Sequence, residues 1–520
     1  MSHAVTDLTA LTGDTTTMTP TVDSGLDILR DTATWSDELV RDSGLRVVDV
    51  PFVTVGGGLA SFAVVDLLRI CGVPAEEIRV VTPQRLPYEN LRRLMRSSQI
   101  LADDPLRSDS MSRVDNVWGF PGYAVEEALL RRSLRPLLRV LGEPLVTEYF
   151  NPSPRQVFGG LDRETARIEW PAMLVPGRAR LVRRRAEGGW FCLVAPTDDA
   201  RPFLLCSRYV HLGTGYPALN FAPELCEYRA RYGEYFRVVN AYESHEHLYQ
   251  VLTRRPATVL LRGAGITASR ILERLFDDRA ASGQDVRIMH LFRTHADDEQ
   301  PVPKVRRPGH GGWSHQPFSF PKAAAAGQLR HRMLTMGDAE RAEYLRTLGG
   351  TSSPSRSRWQ EQLRQGQADG VYRVYRGDVR ELSPSARGGV EVRVDVDTLP
   401  ANTKVDVDFV VDCTGLRFSL AESPLLADLT ETSGVGRNPL GGLDVGRHCE
   451  LRGVDDDHGR VYASGVISQG GYLAPVDSFW GFTHAALLIC DDLARQGFCP
   501  RLGMARSVLG WMKWLRGVTP

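Results

Sequence analysis

The chain twice runs an apolar stretch into a glycine turn and out into a helix-patterned segment. This doubled arrangement constrains the fold more than any other feature. In the first instance Leu45–Val55 (LRVVDVPFVTV) reads as one buried strand, and Gly56-Gly57-Gly58 turns the chain. Leu59–Ile70 then carries apolar residues at helical spacing, and Ile78–Thr82 supplies a second strand. In the second instance the strand ATVLLR, the turn Gly263-Ala264-Gly265, the helix ITASRILERLFDDR and the strand VRIMHLF repeat that order. Each is a β-α-β unit. The chain has 520 residues, room for about three or four units of about 150 residues. The expectation is an α/β protein with two Rossmann-like dinucleotide-binding domains.

The glycines have distinct duties in such a turn. Gly56 permits the tight turn, while Gly57 and Gly58 let the backbone approach a pyrophosphate at the positive end of the following helix. Ser61 stands where a third glycine is usual and is small enough for helix–strand packing. The acid that would grip a ribose at the end of the second strand is replaced by Thr82. In the second turn Gly263, Gly265 and Ala268 hold the corresponding positions, and Arg293 follows the last strand where a carboxylate would favour NAD. A cation there suits a 2′-phosphate, hence NADP, with Arg262 and Arg270 as further phosphate candidates.

Two more strands end in a small residue and glycine, HLGTG up to Gly215 and DCTG up to Gly415. In this order around the second turn they resemble the strand ends at which two-dinucleotide flavoproteins cross between their FAD and NADPH domains. Just before the second turn stands Val239-x-Ala241-x-x-x-His245-x-x-x-Tyr249. It resembles the F-x-G-x-x-x-H-x-x-x-Y/W motif of class B flavin monooxygenases, with Val and Ala in place of Phe and Gly. Near the C-terminus Gly465-Val466 replaces the family's Gly-Asp, and a glycine-rich loop ending at Asp477 leads into the last apolar helix.

The resemblance implies a discontinuous FAD domain (45–215 and 416–520), an inserted NADPH domain (216–415) and a flexible tail (1–44). It implies NADPH reducing FAD, then O₂ giving a flavin C4a-(hydro)peroxide that oxygenates a small organic substrate, by N-hydroxylation or a related reaction. His245 and Tyr249 are then the catalytic candidates at the boundary and Arg270 the nicotinamide-side candidate. Asp477 would lie beside the isoalloxazine. Two other readings stay open. One is an NADPH-dependent flavoprotein reductase or oxidase without oxygen transfer, and the other a non-catalytic nucleotide-binding protein, motivated by Thr82 and Val466.

Other classes are excluded. Basic and acidic residues both number 63, and the arginines are spread along the chain, so neither nucleic acid nor an anionic membrane is expected as the main partner. The eight cysteines form no C-x-x-C pair, which suggests neither a disulfide framework nor a zinc ribbon and points to a reduced cytoplasmic compartment. No secretory signal and no run of about 18 apolar residues is present. The sequence neither requires nor excludes a homo-oligomer. The stretch Gly309–Gln316 holds two histidines without a further ligand at metal spacing. It reads as a substrate-pocket lid walled by Trp313 and Phe318, or as a packed surface loop. Trp118, Phe120 and Tyr123 pose the same choice between core and pocket.

Overall fold

The computed structural model describes residues 24–106, 108–118, 120–142, 150–198, 200–293, 328–347, 357–454, 458–474 and 476–520. The expected loop 301–327, with His310, Trp313, His315 and Phe318, lies outside them, as do residues 1–23 and 351–356.

Nine strands make the first sheet: β1 (Thr34–Trp35), β2 (Arg46–Asp49), β3 (Phe52–Val55), β4 (Ile78–Thr82), β5 (Leu174–Arg185), β6 (Trp190–Pro196), β7 (Phe203–Ser207), β8 (Tyr209–Leu212) and, from far down the chain, β18 (Arg460–Ala463). They run in the order β18-β8-β3-β4-β5-β6-β7-β2, with β1 beside β5. After β9 (Ala218–Leu219) comes the second sheet: β10 (Val238–Asn240), β11 (Ala257–Arg262), β12 (Val286–Phe292), β13 (Tyr372–Pro384), β14 (Val390–Val396), β15 (Thr403–Val407) and β16 (Phe409–Asp412). Its order is β10-β16-β11-β12-β13-β14-β15.

The two sheets share one plan. Each has a parallel core around the strand that precedes its glycine turn, and each then passes through a long strand into an antiparallel meander. The chain leaves the first sheet after β8 and returns through β17 (Leu416–Arg417) to β18. The outgoing and returning segments pair, Ala218 with Arg417 and Leu219 with Leu416, so both crossings lie side by side.

Seven helices matter below: α1 (Leu59–Ile70), α2 (Gly122–Leu130), α3 (Arg135–Gly142), α4 (Glu246–Leu252), α5 (Ile266–Ser282), α6 (Phe479–Arg495) and α7 (Met504–Leu515). Every residue of α1 from Leu59 to Arg69 is buried. Its apolar side chains share one core with Phe52, Trp170 and the inner face of α6, including Ala486 and Ile489. That packing fixes the start of α1 against the sheet, where the glycine turn opens.

Three expectations change in detail. Leu45–Val55 is not one buried strand. Pro51 has no N–H to donate and divides it into β2, largely exposed and paired with β7, and β3, buried between β4 and β8. Residues 24–42, placed within the tail, form two short helices and β1, with Trp35 fully buried and its indole N–H bonded to the Leu29 carbonyl at 2.8 Å. Residues from about Leu161 to Val194 alternate in sequence as short antiparallel strands would, but the strands begin later. Pro154–Arg167 and Trp170–Met173 are helical, and the strands start at Leu174.

Candidate active site

The first turn leaves room only for glycine at two of its three positions. Gly56 has φ +98°, and a Cβ there would overlap the Gly213 carbonyl. A Cβ on Gly57 would sit 2.6 Å from the Thr82 hydroxyl oxygen. Gly58 is different: it caps α1 without any side-chain hydrogen bond, and nothing lies within 4 Å of where its Cβ would be. The first N–H groups of α1 therefore face open space, the arrangement that takes a phosphate. The Thr214 hydroxyl, in the segment that presses on Gly56, is buried with no protein partner. An uncapped helix start and an orphaned hydroxyl beside it fit the pyrophosphate end of a dinucleotide. The strong ribose acceptor is absent, since buried Thr82 already accepts from Gln84 N–H at 3.1 Å.

Under the turn runs a polar string that no motif signalled. The Thr54 hydroxyl lies 3.0 Å from Ser61 Oγ and 2.8 Å from His211 Nδ1, and His211 Nε2 lies 2.7 Å from Ser464 Oγ. All four residues are buried. Burial pushes the His211 pKa down to about 3, so the ring is neutral at physiological pH. With Thr54 donating to Ser61, a neutral ring satisfies the string in one direction: Ser464 donates to Nε2, and Nδ1–H donates to Thr54. Ser61, a glycine substitute by sequence, thus helps tie α1 to β3, β8 and β18. Gly465, φ +77°, follows at once, and a Cβ there would lie 3.4 Å from Ala60 Cβ at the start of α1.

The second turn repeats the first. Gly263 has φ +109°, and its Cβ would fall 2.7 Å from the Cys413 carbonyl. Gly265 caps α5 with no side-chain bond and no neighbour within 4 Å, and Ala268 is fully buried. Beyond β12, Arg293 is 72% exposed and touches Asp378 at 2.7 Å, while buried Arg262 grips the same carboxylate at 2.6 Å. Of these two arginines, Arg293 is the one that faces solvent. Arg262 is spent on Asp378. Arg270 is buried as well, with its guanidinium on the Pro105 carbonyl at 2.8 Å, Glu273 at 3.0 Å and Asp104 at 3.3 Å. It acts as a strut between α5 and residues 104–105.

Gly215 (φ +75°) and Gly415 (φ +104°) end β8 and β16 with open space around them. Asn220 N–H donates to the Gly415 carbonyl at 3.0 Å, which holds the two crossings together. His245 and Tyr249 do meet, at 3.2 Å, but both are 1% exposed. His245 also bonds the Glu243 carbonyl at 2.8 Å, and Arg274 stacks on the Tyr249 ring at 4.5 Å. Burial lowers the His245 pKa and raises that of Tyr249. This pair anchors α4 in the second sheet's core rather than presenting itself to a reactant. Of the aromatic trio, Tyr123 is core, Phe120 is 45% exposed and Trp118 packs against Trp514.

Asp477 stands out in the sequence, but Tyr216, Tyr242 and Thr267, which lie beside it or beside the second turn, do not. Tyr216, one residue past Gly215, donates to Asp477 at 2.8 Å, just before α6. Burial first, then the Asp477 carboxylate, raises the Tyr216 pKa, which keeps the phenol protonated. Thr267, in the first turn of α5, donates to the Tyr242 hydroxyl at 2.9 Å. Asp477 thus connects the last helix with the crossing, and Tyr242 connects the second turn with the loop after β10. The only available signal was their position directly after a crossing glycine or a strand end. Among the described residues no group of three or more His, Cys, Asp or Glu could hold a metal ion.

No protein-family model and no curated protein matches the chain. Solved structures do match in fold. The ornithine hydroxylase PvdA from Pseudomonas aeruginosa, in its reduced form, superposes with a TM-score of 0.62 at 16% identity, over 86% of this chain and 100% of its own. The cadaverine monooxygenase DfoA from Erwinia amylovora, bound to FAD, gives 0.63 at 12% identity, over 88% and 98%. The Kutzneria sp. 744 ornithine N-hydroxylase KtzI, with FADred, NADP+ and L-orn, gives 0.60 at 14%, over 86% and 100%. The fold is that of the flavin-dependent N-hydroxylating monooxygenases. It is an α/β fold of two Rossmann-like sheets, the second inserted in the chain between strands of the first.

Proposed function

We propose that this chain is an FAD-dependent, NADPH-consuming monooxygenase that oxygenates a small organic substrate, by N-hydroxylation of an amine. The observation that carries the proposal is the pair of open, uncapped helix starts at Gly58 and Gly265, each behind a turn whose first glycine has positive φ and no room for a side chain, in this fold. FAD would lie along Gly56–Gly58, Ser61, Thr82, Gly215 and Gly465, with Asp477 near its ring. NADPH would lie along Gly263–Gly265 and Ala268, with Gly415 at the return crossing and Arg293 on the 2′-phosphate. The domain limits 45–215 with 416–520, and 216–415, follow from these assignments.

When bound, the cofactors supply hydride from NADPH and activation of O₂ by reduced flavin. The chain's own residues do the rest. The α1 and α5 amides would hold the two pyrophosphates by charge-assisted hydrogen bonds. The neutral Ser464–His211–Thr54–Ser61 string keeps the first turn rigid without placing a charge beneath it. Protonated Tyr216 holds Asp477 at the mouth of α6. The similar structures are an ornithine hydroxylase and a cadaverine monooxygenase, which makes a diamine or diamino acid the first compound to test.

The deciding experiment supplies ¹⁸O₂ and NADPH with ornithine, lysine and cadaverine, and follows product mass and NADPH loss together. A hydroxylated product carrying one labelled oxygen, with NADPH consumption accelerated by substrate, supports the proposal. NADPH oxidation without labelled product would replace it by the reductase or oxidase reading. Absence of both flavin uptake and NADPH oxidation would favour the nucleotide-binding reading that Thr82 and Val466 motivate.

A further inference from the structure

The described surface carries one feature that cofactor binding does not use. On α3, Leu134 (just before its start), Leu138 and Leu141 are between 62% and 77% exposed, and Leu129 and Leu130 at the end of α2 fall in the same range. On α7, Met504, Val508, Met512 and Leu515 fall on one side of the helix, between 40% and 87% exposed. Isolated exposed leucines need no account, but two helices with whole apolar stripes turned outward do.

The two helices belong to one region. The Arg113 guanidinium stacks on Tyr123 of α2 at 4.2 Å and on Trp514 of α7 at 5.7 Å. The Trp514 indole N–H donates to the Asp115 carbonyl at 2.9 Å, and Trp118 donates to Ser507 at the same distance. These contacts hold the inner side of α7 and leave its apolar stripe uncovered by described residues.

Charge selects the occupant. Neither α3 (RPLLRVLG) nor α7 (MARSVLGWMKWL) contains an acid, and the two acids of α2 are paired, Glu127 with Arg131 at 3.1 Å and Glu126 with Arg163 at 3.4 Å. Arg132, Arg135 and Arg139 flank the first stripe, and Arg506, Lys513 and Arg516 flank the second, with no ion pair among the described residues. A second copy laid on this face would set arginine against arginine. A surface that is apolar and anionic together answers both stripes and both cationic borders. We propose that the α2–α3 and α7 face docks the protein on an anionic lipid bilayer, lying in its headgroup region without crossing it. The balanced charge of the whole chain conceals this local excess.

The test pellets the full chain, as purified, with phosphatidylcholine vesicles and with vesicles of about 3:1 phosphatidylcholine to phosphatidylglycerol. The proposal predicts partitioning to the anionic vesicles at least about tenfold above the neutral ones, falling as salt rises. The double variants Leu134→Ser/Leu138→Ser and Val508→Ser/Met512→Ser should each reduce it about tenfold without lowering the melting temperature, because these side chains are already exposed. Equal partitioning on both vesicle types, no pelleting, or variants that bind like the parent would overturn it. Loss of self-association in the same variants, with no vesicle binding by the parent, would overturn it in favour of an interface between copies.

Discussion

His211 shows how one buried side chain ties stability to pH. Its pKa falls from 6.5 to about 3 in the folded chain. Between those values the unfolded chain binds a proton that the folded one refuses. The contribution to stability is thus full above about pH 6.5 and is lost as pH falls toward 3, at about 1.4 kcal/mol per unit. Denaturant titrations at pH 7 and 5 should differ by about 2 kcal/mol more in the parent than in His211→Leu. That variant should also be less stable at pH 7 by about 2 kcal/mol or more, because Thr54 and Ser464 lose their partner in a closed core. An identical pH slope in both proteins would contradict the assignment. Arg293 offers the second test at this scale. Arg293→Ala should raise KM for NADPH about tenfold or more, the worth of one charge-assisted phosphate contact, and leave KM for NADH unchanged. Equal loss with both nucleotides would remove Arg293 from the site.

At the scale of the element, the glycine turn separates fold from function. Gly56→Ala forces a side chain onto a backbone at φ +98° against the Gly213 carbonyl, and should destabilise the protein by about 2 kcal/mol or more. Gly58→Ala meets no protein atom and sits at φ −80°, so its melting temperature should hold while FAD affinity falls about tenfold or more. Calorimetry with flavin titration on both variants checks the contrast. These turns were legible because strand, glycines and helix follow one another within thirty-odd residues. Elements shaped by distant partners were not. Trp35 is held by a local carbonyl, while Asp37 pairs with Arg185 on β5, so residues 24–42 order themselves without an apolar period of their own. The helix Pro154–Arg167 did announce its start. Ser153 and Gln156 form a capping box with Pro154 between them, a local signal that the alternating residues downstream obscured.

At the scale of the whole molecule, two copies of one sheet plan are joined by a paired crossing, and each sheet carries its own glycine turn. The order of the glycine strand ends was sufficient to read the insertion of one domain into the other. The buried string Thr54–His211–Ser464 was not readable, since its members lie on β3, on β8 and just past β18, 157 and 253 residues apart in sequence, and belong to no motif. The pair His245–Tyr249 was read from a motif and lies in the core, which shows that spacing places residues together without saying which way they face.

The central claim is that the two turns hold FAD and NADPH in electronic contact. An absorption spectrum of the purified protein supplied with FAD, repeated after anaerobic addition of NADPH, tests it in one step. The account predicts bound oxidised-flavin bands that bleach with NADPH and return on admitting air. A protein that takes up no flavin, or whose bound flavin stays oxidised under NADPH, would contradict it.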